Sequence, residues 1–346
     1  GAALALLGQE KVMNLRVGPP KQSPYGDFKV VPTVHPAACM RQADQFPNVI
    51  LDVGKVKADV QPWREPDYVV SEGVDHAVAL LDAIDERATA NGTPLVVDIE
   101  VDVEKDTAFD HPNQYGMLCV GICDERGKSV VRSEGDMASE RVRDRLADLL
   151  GSHNIIAQNG KFDLAGLYPL TGRLKLWFDT MLASYVFDER PGIHGLKYQA
   201  VEYLGAPKYD AVLAKYVTSK TGYGVIPRPI LYKYNAYDTV CTWMLWEMYE
   251  QKFAESPELR RVHDFLVAAS NELMFVELNG FTVDRQYLRQ LDGEYKEILQ
   301  GIREEMNGIV KTDYDKLGGI NPNSPLQIKK ALADWHIKVD STNEDT

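Results

Sequence analysis

The stretch that decides the fold is Leu95-Val96-Val97-Asp98-Ile99-Glu100-Val101-Asp102. Apolar, β-branched residues run into alternating acids, which predicts a strand that begins in a core and ends at a site. Side chains of a strand alternate between two faces, so Asp98 and Glu100 point the same way. Adjacent carboxylates are costly to bury unless a positive charge lies between them, and hard divalent cations prefer carboxylate oxygens. The motif therefore indicates a site for Mg²⁺ or Mn²⁺, or, taken alone, solvated acids at a strand end.

Composition restricts the class of protein. The chain has 346 residues, 45% of them hydrophobic and 26% charged, so two or three soluble globular domains are expected. No apolar run has the length of a membrane span, and four scattered cysteines without a metal-ligand pattern fit a reducing cytoplasm. The net charge of -13 disfavours a nucleic-acid partner that is bound through a basic surface. A carboxylate site still binds phosphate through metal ions.

A second acidic position follows a short apolar strand. In Asn154–Leu164 the strand runs to Asn159, Gly160 permits a tight turn, and a helix opens near Phe162. Asp163 then lies at a strand-to-helix corner, from which α/β folds often present functional groups. A helix-capping role is the alternative for an Asp at this place.

A third motif lies on a long predicted helix that opens at Ile230. Tyr234 and Asp238 are four residues apart, so both lie on the same helix face. A surface Tyr–Asp pair is the alternative. The preceding segment, Lys208–Pro229, is rich in Gly, Pro and polar residues and is expected to form an excursion near a substrate path.

The order of elements between these motifs predicts the fold class. An edge strand and a helix precede the first motif. From the first-motif strand onward the order is β-β-β-α, and further β/α units follow. This order indicates an α/β domain around a mixed sheet. The predicted strands are Tyr68–Val70 at an edge, Met117–Cys123 and Ser129–Arg132, and the predicted helices are Ser71–Ala90, Met137–Leu150, Asp179–Asp188 and Leu196–Leu204.

Together the three motifs resemble the DEDD 3′→5′ exonucleases, in the subgroup with a Tyr in the last motif. The resemblance covers Asp98 to Asp238 and implies a ribonuclease H-like domain over residues 66–255. Asp179-Thr180-Met181 and His194-Gly195-Leu196-Lys197 also resemble connecting segments of the proofreading domain in family A DNA polymerases.

The resemblance implies the role of each site residue. The four acids, Asp98, Glu100, Asp163 and Asp238, would hold two divalent ions, Mg²⁺ or Mn²⁺, for an in-line displacement. Tyr234 would aim the attacking water, while Asn159 and Phe162 would pack on the terminal nucleotide. The expected partner is a single-stranded or frayed 3′ DNA end. Val101 stands where relatives often have Thr, which puts the fine positioning of that nucleotide in doubt.

Residues 1–60 do not have the pattern of a complete domain. A strand at Phe28–Val31 leads into a His-Pro-x-x-x-x-Arg loop with His35 and Arg41, and Leu51-Asp52-Val53 is expected to form a closing strand. The segment resembles the C-terminal part of uracil-DNA glycosylases, whose loop enters the minor groove. The family's water-handling motif would lie before residue 1, so we expect no uracil excision.

Residues 256–346 resemble the entry to the polymerase domain of family A DNA polymerases. The resemblance rests on Glu277–Asp284 and Ile320–Gln327. Capping boxes at Ser324–Gln327 and Ser341–Glu344 predict two helix starts. We therefore expect a fragment of a bacterial or viral replication polymerase, joined to the remainder of that chain and unable to synthesise DNA by itself.

Two other functions fit the same motifs. An RNA-processing exonuclease of the ribonuclease D type shares all three. A non-catalytic DNA-binding scaffold would keep the fold without holding metal.

Overall fold

The computed structural model describes residues 2–8, 15–42, 45–57, 63–102, 116–218, 221–310 and 319–339. The chain divides into two units, Gly1–Asn279 and Gly280–Thr346. The second predicted capping box, Ser341–Glu344, lies outside the described residues.

A six-stranded mixed sheet forms the centre of the first unit, in the order β3-β6-β5-β4-β7-β8. β3 runs parallel to β6, β5 is antiparallel to both of its neighbours, and β4, β7 and β8 are parallel. The prediction of an α/β fold with a mixed sheet and an edge strand at residues 68–70 is confirmed. The strands are β3 (Asp67–Val70), β4 (Leu95–Asp102), β5 (Gly116–Glu125), β6 (Lys128–Ser133), β7 (Ile155–Ala157) and β8 (Leu176–Asp179).

The described helices of this unit cover both faces of the sheet. Shorter helical turns of other types occupy Lys55–Lys57, Ala200–Leu204, Tyr209–Lys215 and Tyr223–Val225. The α-helices are α1 (Ala2–Leu7), α2 (Pro36–Cys39), α3 (Phe46–Gly54), α4 (Val74–Asn91), α5 (Glu134–Met137), α6 (Glu140–Ser152), α7 (Gly160–Thr171), α8 (Thr180–Phe187), α9 (Leu196–Gln199), α10 (Arg228–Glu255) and α11 (Pro257–Asn279).

The two faces of β4 contribute to different cores. Val97 and Ile99 pack with α4 and α6 in one hydrophobic cluster. Val96 belongs to a second cluster with Val240 of α10. Because side chains alternate along a strand, Asp98 and Glu100 share the face of Val96 and point towards α10.

The approach of α10 to the sheet is close at Gly121, which is paired with Asp98 in the sheet register. A Cβ atom on Gly121 would lie 2.1 Å from Oδ1 of Asn235 and 2.9 Å from Cγ2 of Thr239. Both of these residues are on α10. The absence of a side chain at this position lets the helix lie directly against β5, next to the acidic end of β4.

The N-terminal segment differs from its prediction. Leu51-Asp52-Val53, expected to be a strand, lies in helix α3. Helical spacing brings Asp52 next to Lys55, and the buried Asp52 carboxylate also accepts two hydrogen bonds from Arg16, at 2.9 and 3.2 Å. A strand would not bring Asp52 and Lys55 to the same side. The segment also contains a short antiparallel pair, β1 (Lys21–Gln22) and β2 (Lys29–Val30).

The second unit contains two described helices, α12 (Arg285–Ile309) and α13 (Pro325–Ala333). Asp284 caps α12 by accepting from the backbone N–H groups of Gln286 and Tyr287. Ser324 caps α13 by accepting from Gln327, as the first capping box predicts. Among the helices that the structure describes, none has the length and apolar character needed to cross a bilayer.

Candidate metal centre

Three carboxylates from two elements meet between β4 and α10. Asp98, Glu100 and Asp238 each offer an oxygen, and these oxygens lie within 4.8 Å of one another. Glu100 and Asp238 are buried, with only 6% and 4% of each residue's surface exposed. Strand alternation orients the first two acids, and the packing of α10 brings the third.

Asp163 lies beside this cluster, in the first turn of α7, and is not one of the three. Its Oδ1 accepts a hydrogen bond from the backbone N–H of Ile99 at 3.0 Å, which fixes the carboxylate against β4 between the two acids of the first motif. Asp163 is buried, and its charge, after burial and the charge of Asp238, helps to raise the pKa of Asp98.

The turn before Asp163 is set by local geometry. Asn159 has φ 58°, a left-handed conformation that Asn tolerates better than most residues. At Gly160 a Cβ atom would approach the Ala157 Cβ to 2.7 Å. Asp179, at the end of β8, accepts hydrogen bonds from the N–H groups of Asn159 and Gly160, at 3.1 and 2.9 Å, and also caps α8. Asp179 thereby ties the turn that carries Asp163 to the neighbouring strand.

Asn235 is a site residue that the motifs did not identify. Its side-chain amide donates to Oδ2 of Asp98 at 2.7 Å and to the Asp98 carbonyl oxygen at 3.2 Å. Asn235 is fully buried. In the sequence, its role could have been suspected only from its position between Tyr234 and Asp238 in the third motif.

Lys197 and Tyr209 both contact Asp238, and sequence reasoning assigned neither of them a role. The Lys197 ammonium forms an ion pair with Oδ1 of Asp238. The Tyr209 hydroxyl donates to the same oxygen at 2.6 Å. Lys197 was quoted only as part of a connecting segment, and Tyr209 lies in the segment predicted to be an excursion near the substrate path.

Tyr234 flanks the carboxylates from α10 and is buried. The Lys197 ammonium lies 4.2 Å from its ring centroid, and Tyr223 contacts the ring edge to face. Burial, followed by the charges of Asp238 and Glu100, raises the pKa of Tyr234 far above its ordinary value. The phenol therefore stays protonated at neutral pH and acts as a hydrogen-bond donor or acceptor.

The electrostatics of the centre match a cation site. Burial is the largest cause that raises the pKa of the Asp98, Glu100 and Asp163 carboxyls, and neighbouring acids, Asp238 among them, raise all three further. Lys197 acts in the opposite direction on Asp98 and Glu100. Buried carboxylates that face one another fit hard divalent ions, because such ions prefer oxygen ligands and offset the repulsion. The donor set of this site therefore fits Mg²⁺ or Mn²⁺.

The other predicted site residues occupy different places. Asn159 is exposed at the turn before α7, and Phe162 is partly buried against the core cluster of α4 and α6. His35 caps α2, accepting at Nδ1 from the Ala37 N–H at 3.1 Å, and Arg41 is exposed. His35 and Arg41 do not belong to the carboxylate cluster.

No family model matches this chain. Sequence comparison finds the DNA polymerase of Escherichia phage T5, 28% identical over 205 residues that cover 53% of this chain and 24% of the phage protein. DNA polymerase I of Borreliella burgdorferi is 26% identical over 185 residues, which cover 51% of this chain and 19% of that protein. The chain thus spans about a quarter or less of these polymerases and resembles them over about half of its own length.

Structural comparison finds the POL domain of Pol1 from M. smegmatis, solved with DNA primer-template and dNTP. The TM-score is 0.52 at 16% identity, with 80% of this chain and 44% of that chain covered. The predicted architecture, an α/β domain around a mixed sheet followed by a helical segment, is confirmed.

Proposed function

We propose that this chain is a metal-dependent 3′→5′ exonuclease, the proofreading module of a family A DNA polymerase. The observation that carries the proposal is the convergence of Asp98, Glu100 and Asp238 within 4.8 Å, next to Tyr234. Solvated acids at a strand end would not be buried together. The sequence similarity to DNA polymerases supports the assignment to a polymerase.

Asp98, Glu100, Asp163 and Asp238 would hold two divalent ions, Mg²⁺ or Mn²⁺. When bound, such ions make a coordinated water more acidic and stabilise negative charge on the leaving oxygen. Asn235 holds the Asp98 carboxylate in place, and the Ile99 N–H holds Asp163. In the proposal, Asp163 coordinates a metal ion from this fixed position beside the cluster.

Tyr234 would orient the attacking water through its hydroxyl group. Because its pKa lies far above neutral, it is unsuited to removing the proton itself. In the proposal, Asn159 and Phe162 contact the terminal nucleotide, Asn159 from its exposed turn. The products would be a nucleoside 5′-monophosphate and a DNA strand shortened by one nucleotide.

The proposed substrate is a single-stranded or frayed 3′ DNA end, and the proposed partner is the remainder of a polymerase chain in a cytoplasmic bacterial or viral replication system. Over residues 66–255 the chain would supply the exonuclease, and residues 256–346 would begin the polymerase domain. Residues 1–60 would be a glycosylase-like remnant. We expect the protein to release no uracil from a uracil-containing duplex. Uracil release would contradict the proposal that residues 1–60 are an inactive remnant.

The double variant Asp98→Ala with Glu100→Ala tests the function. We expect it to lose Mg²⁺-dependent degradation of a 5′-labelled DNA single strand. Asp292→Ala with Glu294→Ala is the matched control, since it removes the same charge from exposed positions of α12 and should keep the wild-type rate. Equal rates for wild type and the first variant would refute the assignment.

Matched DNA and RNA single strands separate the proposal from the ribonuclease D alternative. We expect faster removal of nucleotides from DNA, since the sequence relatives are DNA polymerases. Faster degradation of RNA would favour the alternative. A wild-type protein that degrades neither strand in Mg²⁺ or Mn²⁺ would instead be the non-catalytic scaffold.

A further inference from the structure

The Lys197 side chain reaches from α9 into the carboxylate centre. Its ammonium pairs with Asp238, lies 4.2 Å from the ring centroid of Tyr234 and 4.8 Å from that of Tyr209. The Lys197 side chain is 28% exposed and that of Asp238 is 6% exposed. A lysine on an open surface would extend into water, whereas this one is held between a carboxylate and two aromatic faces.

The backbone around Lys197 is anchored independently of that ion pair. Gln199 donates from its side-chain amide to the His194 carbonyl oxygen at 2.6 Å, and the Tyr249 hydroxyl donates to the Gln199 Oε1 at 2.6 Å. Gln199 is fully buried. These contacts hold the short helix α9 against α10. The backbone position of Lys197 is therefore fixed by packing, and from this position its ammonium reaches Asp238.

The charge of Lys197 acts on more than its direct partner. It lowers the pKa of Asp98 and Glu100, against the effect of burial. The same oxygen of Asp238 also accepts from Tyr209, so that oxygen is saturated by two donors in this arrangement. A metal ion that coordinates Asp238 would lie close to the ammonium, and the repulsion between the two positive charges makes the two cations compete for this carboxylate.

We propose that Lys197 is a positioning residue that acts as an internal counter-ion and competes with the divalent ion for Asp238. The inference rests on the proposed function, since it presumes that the carboxylates hold metal. In the metal-free protein Lys197 keeps Asp238 and Tyr234 in place. On metal binding it leaves Asp238, so its charge sets the metal concentration that the site requires.

Mn²⁺ binding at pH 8, followed by the electron paramagnetic resonance signal of free Mn²⁺, tests this without any nuclease readout. Lys197→Met keeps the length and apolar stem but removes the charge. We expect it to bind Mn²⁺ more tightly than wild type by about tenfold, as competing cations are negatively coupled. Lys197→Arg keeps the charge and should bind within about twofold of wild type. Lys233→Met is the matched control, because Lys233 pairs with Glu65 outside the cluster.

The outcomes are distinct. Unchanged or weaker Mn²⁺ binding by a folded Lys197→Met protein overturns the competition, and Lys197→Gln repeats the test should the Met variant fail to fold. Equal effects of Lys233→Met and Lys197→Met also overturn it, since they would show a general charge effect. Absence of Mn²⁺ binding by the wild type would overturn the metal site itself, and with it the proposed function.

Discussion

The side-chain amide of Asn235 donates a hydrogen bond to the carboxylate of Asp98 at 2.7 Å, across 137 positions of sequence. The contact joins the long helix α10 to the central strand β4. It also fixes the rotamer of Asp98 on the side of the sheet where Glu100 and Asp238 lie. The geometry of the carboxylate centre therefore depends on how closely α10 packs against the sheet.

Replacing Asn235 with Ala should weaken metal binding and activity by about 10- to 100-fold, the usual cost of losing a group that orients a ligand. Asp98 would keep its chemistry but lose its fixed direction. Calorimetric titration with Mn²⁺ and single-turnover degradation of a DNA strand measure the two effects. Asn271→Ala is the control, because the Asn271 side chain bonds the backbone N–H and carbonyl of Leu176 on the edge strand β8, both at 2.9 Å, and not one of the acids of the centre. Similar losses in both variants would argue against a specific role for Asn235.

Gly121→Ala should destabilise the protein by about 1–3 kcal/mol, since the added methyl group would overlap Asn235 and force α10 away from β5. Urea unfolding followed by circular dichroism gives the free energy of unfolding. Gly151→Ala on α6 is the matched control. It has open space at the new Cβ and should be neutral or stabilising by up to about 1 kcal/mol. A Gly121→Ala protein of wild-type stability would mean that the helix is not closely held at this point.

Tyr234→Phe should lower kcat by on the order of 10²-fold with little change in KM, because it removes the hydroxyl group that we propose orients the reacting water. Tyr237→Phe is the control on the same helix, where the hydroxyl bonds Glu65 instead. Steady-state rates on a short DNA single strand measure both. A loss confined to KM would place Tyr234 in substrate binding, and equal losses in both variants would remove its special role.

The metal-free protein should lose stability as the pH rises above about 4, the ordinary pKa of a carboxyl group in the unfolded chain. Burial and neighbouring acids raise the pKa of Asp98 and Glu100 above the value of about 4 in the unfolded chain. The folded state then binds more protons than the unfolded state between the two values, so the free energy of unfolding falls as pH rises through that window.

Urea unfolding in EDTA at several pH values tests this dependence. The variant Asp98→Asn with Glu100→Gln lacks both titrating groups and should show a flatter profile, and saturating Mg²⁺ should raise wild-type stability more at pH 8 than at pH 5. Parallel profiles for wild type and variant in EDTA would show that these carboxyls do not control the pH dependence.

Much of the secondary structure could be predicted from local pattern. Alternation placed Asp98 and Glu100 on one strand face, and four-residue spacing placed Tyr234 and Asp238 on one helix face. A turn between β7 and α7 was also predictable, but its left-handed residue is Asn159, and Gly160 is required by its close approach to Ala157 and to Leu176 on β8. The predicted strand at Leu51-Asp52-Val53 was wrong, because the stretch lies in helix α3. A short apolar run with one acid fits a strand or a helix equally until its partners, Arg16 and Lys55, are known.

By itself, the sequence determined which residues share a strand or helix face, since that depends only on backbone periodicity. Its three motifs also determined where acids were to be expected. The tertiary structure alone decided that Lys197, Tyr209 and Asn235 meet those acids, and that Asp163 is held by the Ile99 N–H beside the cluster. Such contacts join segments far apart in sequence, and their geometry arises from the packing of helices on the sheet, which no local pattern encodes.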